Sequence, residues 1–261
     1  MPSTVWDKAR RIRNPLRSLL VALFWLCVWQ GISLAVSNDL LIPAPWAVLR
    51  RLCGLAVRSD FWMAVSGSLL RMLTGYFAGV ACGFLLAFCT HWSRIARQLL
   101  APAFTVIRAT PVASFILIAL IWIGSARVPV FTAFLMVLPI VWGGVSSGLE
   151  SIGKELPEAA RLFGFSRRRK LWLLYLPSIK TPFLSACVTS VGLAWKASVA
   201  AEVLCVSKLS IGKYLYQSKL YLETVDLYAW TCTVIVLSLV LESALKFAVR
   251  RSRKEGVPHA E

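Results

Sequence analysis

Apolar residues dominate this chain in six long blocks, separated by shorter polar stretches. The blocks cover roughly residues 19–36, 65–89, 100–123, 128–149, 183–206 and 227–247. Each has the length that a helix needs to cross a hydrocarbon layer of ~30 Å. The pattern predicts an all-α integral membrane protein of about six transmembrane helices. Residues 1–18 then form a basic tail, 19–247 the membrane domain and 248–261 a second basic tail.

The stretches between the blocks carry the detail. Leu41-Ile42-Pro43-Ala44-Pro45 predicts an extended approach to a short helix at the membrane surface. Gly67, Gly75, Gly79 and Gly83 recur at multiples of four, so one face of the second span suits close helix contact. The third block contains Arg108-Ala109-Thr110-Pro111, which predicts a kink or break near the proline. The one long polar segment is Glu155–Pro182, within a loop of residues 149–182. It reads as a short helix from Pro157 to Leu162, a break at Gly164, and a basic, aromatic second segment ending at Pro177. Ser166 is placed to cap that second segment. Gly164 can take a backbone angle that other residues resist. Two short helices meeting at a bend make a docking surface more readily than a spacer.

Composition agrees with a membrane protein: 58% of residues are hydrophobic, 16% are charged and the mean hydropathy is +0.70. The net charge of +17 does not point to nucleic acid, because its cations sit in loops and tails between apolar blocks. With the N-terminus inside, nineteen Lys and Arg fall on the cytoplasmic side and seven on the other. That excess predicts both termini in the cytoplasm. The first block follows a basic stretch as a signal peptide would. It is too long for a signal core, and no clear cleavage site follows, so it is expected as an uncleaved span. The seven cysteines have no disulfide or metal spacing. Six read as apolar packing residues, and Cys53 falls in a loop. His91 and His259 have no catalytic or metal partner in sequence.

The long polar segment also carries a resemblance. Glu158-Ala159-Ala160, three residues, Gly164, nine residues, Leu174, one residue and Leu176-Pro177 match, without insertion or deletion, the "EAA" loop of ABC importer permeases. The chain resembles the branch that imports nitrate, sulfonates, taurine and bicarbonate. Leu120-Ile121-Trp122-Ile123-Gly124 and the preceding Arg108 to Pro111 are similar to that family's "RAIP…WFG" region. Ala201-Glu202-Val203-Leu204 matches a further stretch, with Cys205 where the family commonly has glycine.

The resemblance implies a type I importer fold in a bacterial inner membrane. It implies a coupling helix that docks on a cytoplasmic ABC ATPase pair through Glu158, Ala159, Ala160, Gly164, Leu176 and Pro177. The alanines let the partner approach closely. It also implies a second permease copy or a related permease, and a periplasmic or surface-tethered solute-binding protein. Membrane lipid is the remaining partner, and nucleic acid is not one. ATP and Mg belong to the partner, since this chain lacks a Gly-x-x-x-x-Gly-Lys-Ser/Thr loop. The chain itself is expected to be non-catalytic, with no metal or cofactor site.

Candidate pathway or gate residues are Lys196, Glu202, Arg71, Arg108 and Trp195. Ionised groups within a span are costly and face a protein interior or a wet cavity. Lys196 lies near mid-span and suits an anionic, sulfonate-like solute, or it pairs across the bundle. Glu202 anchors a gate or a neighbouring helix. At 100° per residue the two are 240° apart around the helix, so they do not pair directly. Arg71 and Arg108 line a path or snorkel to headgroups. Trp195 lines a cavity or packs in the core. The rival reading is a self-contained carrier coupled to an ion gradient. A membrane enzyme lacks a clustered His, Cys or carboxylate set, and a scaffold leaves the charges of the fifth span without a purpose.

Overall fold

The computed structural model describes residues 4–254 except 39 and 154, and the side chains of 17–251 except 18, 39, 154, 157, 159, 161 and 167. The ends of both expected tails, residues 1–3 and 255–261 with His259, lie outside the described residues. So do the side chains of Ala159 and Arg167.

Every regular element among the described residues is helical. The order is α1 (Thr4–Val36), α2 (Pro45–Ala56), α3 (Ser59–Trp92), α4 (Arg94–Ala109), α5 (Val112–Ile123), α6 (Val128–Glu150), α7 (Glu155–Leu162), α8 (Arg167–Lys170), a π turn (Leu171–Tyr175), α9 (Leu176–Cys205), α10 (Ile211–Leu220) and α11 (Thr224–Lys254). Five helical stretches are long and apolar enough to cross a membrane: those of α1, α3, α6, α9 with α8 and the π turn, and α11. The third apolar block is not a straight crossing. It is the pair α4 and α5, bent by 108°. Thr110 is extended at φ −81°, ψ 134°, the backbone that a following proline imposes. Both tails are helical where they are described. Residues 4–18 are the first turns of α1, and α11 continues to Lys254.

The centre of the bundle is α3, α6 and α9. The glycine face of α3 lies on α6. A Cβ added to Gly79 would stand 2.8 Å from Val137 Cβ and 3.0 Å from the Phe134 carbonyl oxygen. Gly75 and Gly83 meet α6 the same way at Val130 and Leu138. Met72, Val137, Val141, Val145 and Trp195 fill the space that these contacts enclose. We expect Gly79→Leu to force the helices apart and to destabilise the chain by about 1–3 kcal/mol, the usual cost of overpacking. Thermal unfolding in detergent checks this. Gly31→Leu is the control, because nothing lies within 4 Å of a Cβ there.

One end of the bundle is tied by α2. Extended Ala44 leads into Pro45, and the proline-framed short helix follows. Arg51 makes a two-point ion pair with Asp226 at 2.5 and 2.6 Å, joining α2 to α11. Trp29 Nε1 donates to the Pro43 carbonyl at 3.1 Å, and Thr224 Oγ1 donates to that of Leu40 at 2.7 Å. Cys53 sits in α2 rather than in a loop, and all seven cysteines are free.

Candidate functional site

Three parts of the chain answer to the residues singled out in sequence. The first is the polar segment at the end opposite α2. α7 stops at Gly164, whose φ of +66° lies in the left-handed region. The Phe165 N–H then reaches back to the Ala160 carbonyl at 3.0 Å, the six-to-one bond of a glycine-terminated helix. Ser166 caps α8 as expected, its Oγ accepting from the Arg169 N–H at 3.3 Å.

Two details correct the sequence reading of this loop. Ala160 is buried, so its small size serves packing within the chain rather than the approach of another surface. The second segment does not end at Pro177. It runs through the π turn into α9 as one helical stretch, Arg168–Cys205. Pro177 lies in the first turn of α9 and has no N–H to give. The Leu176 N–H bonds instead to the Leu171 carbonyl, five residues back, and the wider turn carries the helix past the proline. Glu158 and Gly164 are exposed, and Leu176 is half-buried. Sequence reasoning missed Leu162 and Phe163, which stand 88% and 79% exposed at the bend. Together they leave an apolar surface uncovered at the bend. Their signal was present, next to the glycine.

The second part is a stripe on α9. Ser185, Thr189, Leu193, Lys196, Ala200 and Leu204 recur every three or four residues and are all exposed. Lys196 makes no ion pair or hydrogen bond among the described residues, so it does not pair across the bundle. Its neighbour Trp195 lies about 100° around the helix from it. It is fully buried, its Nε1 donating to the Val234 carbonyl at 3.0 Å, which makes it a core residue and removes it from a cavity wall.

The third part is a buried clasp. Glu202 is 0% exposed. It accepts from Ser68 Oγ at 2.6 Å, Arg71 Nη1 at 3.0 Å and the Gly212 N–H at 3.3 Å. These donors come from α3 and α10. Arg71 also donates to the carbonyls of Lys208 and Leu209, at 2.6 and 3.3 Å. It is therefore held inside the protein and does not snorkel. The chain between α9 and α10 has two non-glycine residues at φ +48°, Val206 and Leu209. Such residues resist that region, so the surrounding bonds hold the connector in place. Ser207 Oγ extends the tie to the Ser125 carbonyl, in the turn before α6. Arg108 is separate from this cluster. Its guanidinium bonds to the Pro139 carbonyl on α6, over the side-chain-free surface of Gly143.

A bent α4–α5 pair, a glycine-seamed helical bundle and a proline-bridged loop helix together describe a helical membrane protein. Comparison with known proteins makes the class specific. Residues 79–254 match the family described as "Binding-protein-dependent transport system inner membrane component". The chain belongs to that family, and it is the permease component of an ABC importer. It is 24% identical over 253 residues to the taurine transport system permease protein TauC of Escherichia coli, covering 94% of this chain and 90% of the relative. It is 23% identical to the nitrate import permease protein NrtB of Synechocystis, covering 83% and 84%. In fold it resembles the crystal structure of a bacterial ABC transporter involved in import of the acidic polysaccharide alginate. That match has a TM-score of 0.63 at 16% identity and covers 95% and 98% of the two chains. A self-contained, ion-coupled carrier is set aside by this membership.

Proposed function

We propose that this chain imports a small oxyanion, a sulfonate first of all, with Lys196 on the translocation path. The observation that carries the reading is an exposed lysine in the middle of an apolar helix. In lipid such a charge costs about 3 kcal/mol, so its natural surroundings are a wet cavity. Its stripe supplies small and polar neighbours, Ser185, Thr189 and Ala200. Taurine is an amino sulfonate and nitrate is an oxyanion, so the names of TauC and NrtB agree with a cationic path. The Glu202–Arg71 clasp acts beside the path as an anchor for the α9–α10 connector, and Arg108 fixes the broken α4–α5 pair to α6.

The remaining assignments follow from the family. Two permease chains, most simply two copies of this one, face each other across the path. A cytoplasmic ABC ATPase pair docks on the α7–α8 bend and supplies ATP and Mg. A solute-binding protein delivers cargo at the opposite end. The excess of Lys and Arg supports a cytoplasmic side for both termini and the bend, and the family supports a bacterial inner membrane.

The test is ATP-driven uptake of taurine and nitrate by proteoliposomes containing the permease, its ATPase and its binding protein. For Lys196→Ala we expect the apparent affinity for the transported anion to fall about tenfold or more, the scale of one charged hydrogen bond. Lys196→Arg should retain most of it, and subunit assembly should be normal in both. Unchanged uptake kinetics in Lys196→Ala remove Lys196 from the path.

A further inference from the structure

α3 meets the α9 helix from the Ser68–Glu202 bond of the clasp to the rings of His91 and Trp92 on Tyr175. Along this seam, towards the α7–α8 end, runs an apolar groove of about 1040 Å³. Ala81 and Leu85 of α3 form one wall, and Trp172, Phe183 and Leu184 form the other. Phe84 and Phe183 meet edge-on at 5.4 Å inside it. Lys180 also lines it. Twelve residues separate Trp172 from Leu184, or about 18 Å of helix at 1.5 Å per residue. One leaflet of hydrocarbon is about 15 Å deep. The groove thus has the length of a single acyl chain.

Charge identifies the occupant. Arg168 and Arg169 are exposed one helical turn before Trp172, next to half-buried Lys170. No Asp or Glu occurs between Glu158 and Glu202. Cations at the mouth of a leaflet-deep apolar groove complement an anionic headgroup carrying an acyl tail. The groove is also distinct from the path. Leu176, Lys180 and Phe183 lie about 140° around the α9 axis from the stripe of Lys196, at 100° per residue. We propose that this groove is a binding site for an anionic phospholipid, its headgroup on Arg168 and Arg169 and one acyl chain between α3 and α9.

Native mass spectrometry of the full chain in mild detergent tests the site, with phosphatidylglycerol or phosphatidylethanolamine added. The expected result is retention of one phosphatidylglycerol per chain at detergent levels that strip phosphatidylethanolamine. Arg168→Gln with Arg169→Gln should reduce that retention at least fivefold, as should Ala81→Trp, which fills the groove. Thermal unfolding of each variant identifies any loss that comes from misfolding, and the exposed arginine pair keeps the test open if Ala81→Trp unfolds. Equal retention of the two lipids overturns the proposal. So does wild-type retention in both variants, or competition by glycerol 3-phosphate, which has no tail. If Ala81→Trp abolishes self-association while phosphatidylglycerol stays bound, the groove belongs to a second copy of the chain and the proposal fails.

Discussion

Glu202→Ala should be the most damaging single substitution outside the helix seams, costing about 3–5 kcal/mol of stability. The carboxylate has no exposure, and the change leaves three donors facing it. Ser68 and Gly212 lose an acceptor, and Arg71 loses the only carboxylate that it meets among the described residues. An unpaired buried charge costs more than the pair was worth, because the Coulomb gain disappears while the desolvation remains. Glu202→Gln keeps the shape and part of the hydrogen bonding, so its effect should be smaller. A cycle of Glu202→Ala, Arg71→Ala and the double variant measures the coupling, which we expect to exceed 1 kcal/mol. Strictly additive losses mean that the two residues act separately. The damage should also be local. Without its ties the 206–210 connector loses what holds Val206 and Leu209 in their unfavourable backbone. Trypsin should then cleave after Lys208 in the variant well before it does in the wild type. Equal cleavage rates at matched stability count against the clasp as an anchor.

Much of this structure was legible because membrane-spanning segments announce themselves by length. The six apolar blocks, the break at Thr110-Pro111, the surface helix begun by Pro45 and the glycine seam of α3 all follow from local rules. The bend at Gly164 was equally readable, since a positive φ is a local demand. What escaped the sequence depends on distant partners. Glu202 reads as a charge in a span, but Ser68 and Arg71 lie 134 and 131 residues away, and a serine inside an apolar block carries no signal of its own. Trp195 and Lys196 are adjacent, and from sequence Trp195 suited a cavity wall as well as the core. Only the packing of α11 on α9 separates them, burying one against Val234 and leaving the other open. Pro177 suggested a stop because proline ends helices. The π turn absorbs it, and that shift depends on the tertiary setting of α9 as much as on Leu171–Tyr175. Ala160 was assigned to an outer surface from the EAA-like motif and its small size, neither of which fixes the direction in which it points.

Gly164→Pro should abolish ATP-driven transport while the membrane bundle stays folded. The native residue sits at φ +66°, and proline is fixed near −65°, so the bend between α7 and α8 cannot form. A Cβ at this position would meet nothing within 4 Å, so any effect comes from the backbone and not from a clash. Gly164→Ala separates the two causes. It adds the same Cβ at a cost of about 1–2 kcal/mol for a left-handed residue, which strains the bend without forbidding it. Loss of the bend releases the Phe165–Ala160 bond and turns Leu162 and Phe163 away from their native direction. Those side chains form the apolar crest of the surface that we assign to the ATPase. The continuous helix from Arg168 to Cys205 also carries the stripe of Lys196, so we expect a displacement of α8 to be felt there. We therefore expect Gly164→Pro to retain wild-type thermal unfolding of the bundle, to lose co-purification with the ATPase, and to reduce uptake at least tenfold. Gly164→Ala should fall between it and the wild type in both measurements. If Gly164→Pro co-purifies normally but does not transport, the bend transmits force without making the contact. Normal uptake in Gly164→Pro removes the bend from coupling altogether.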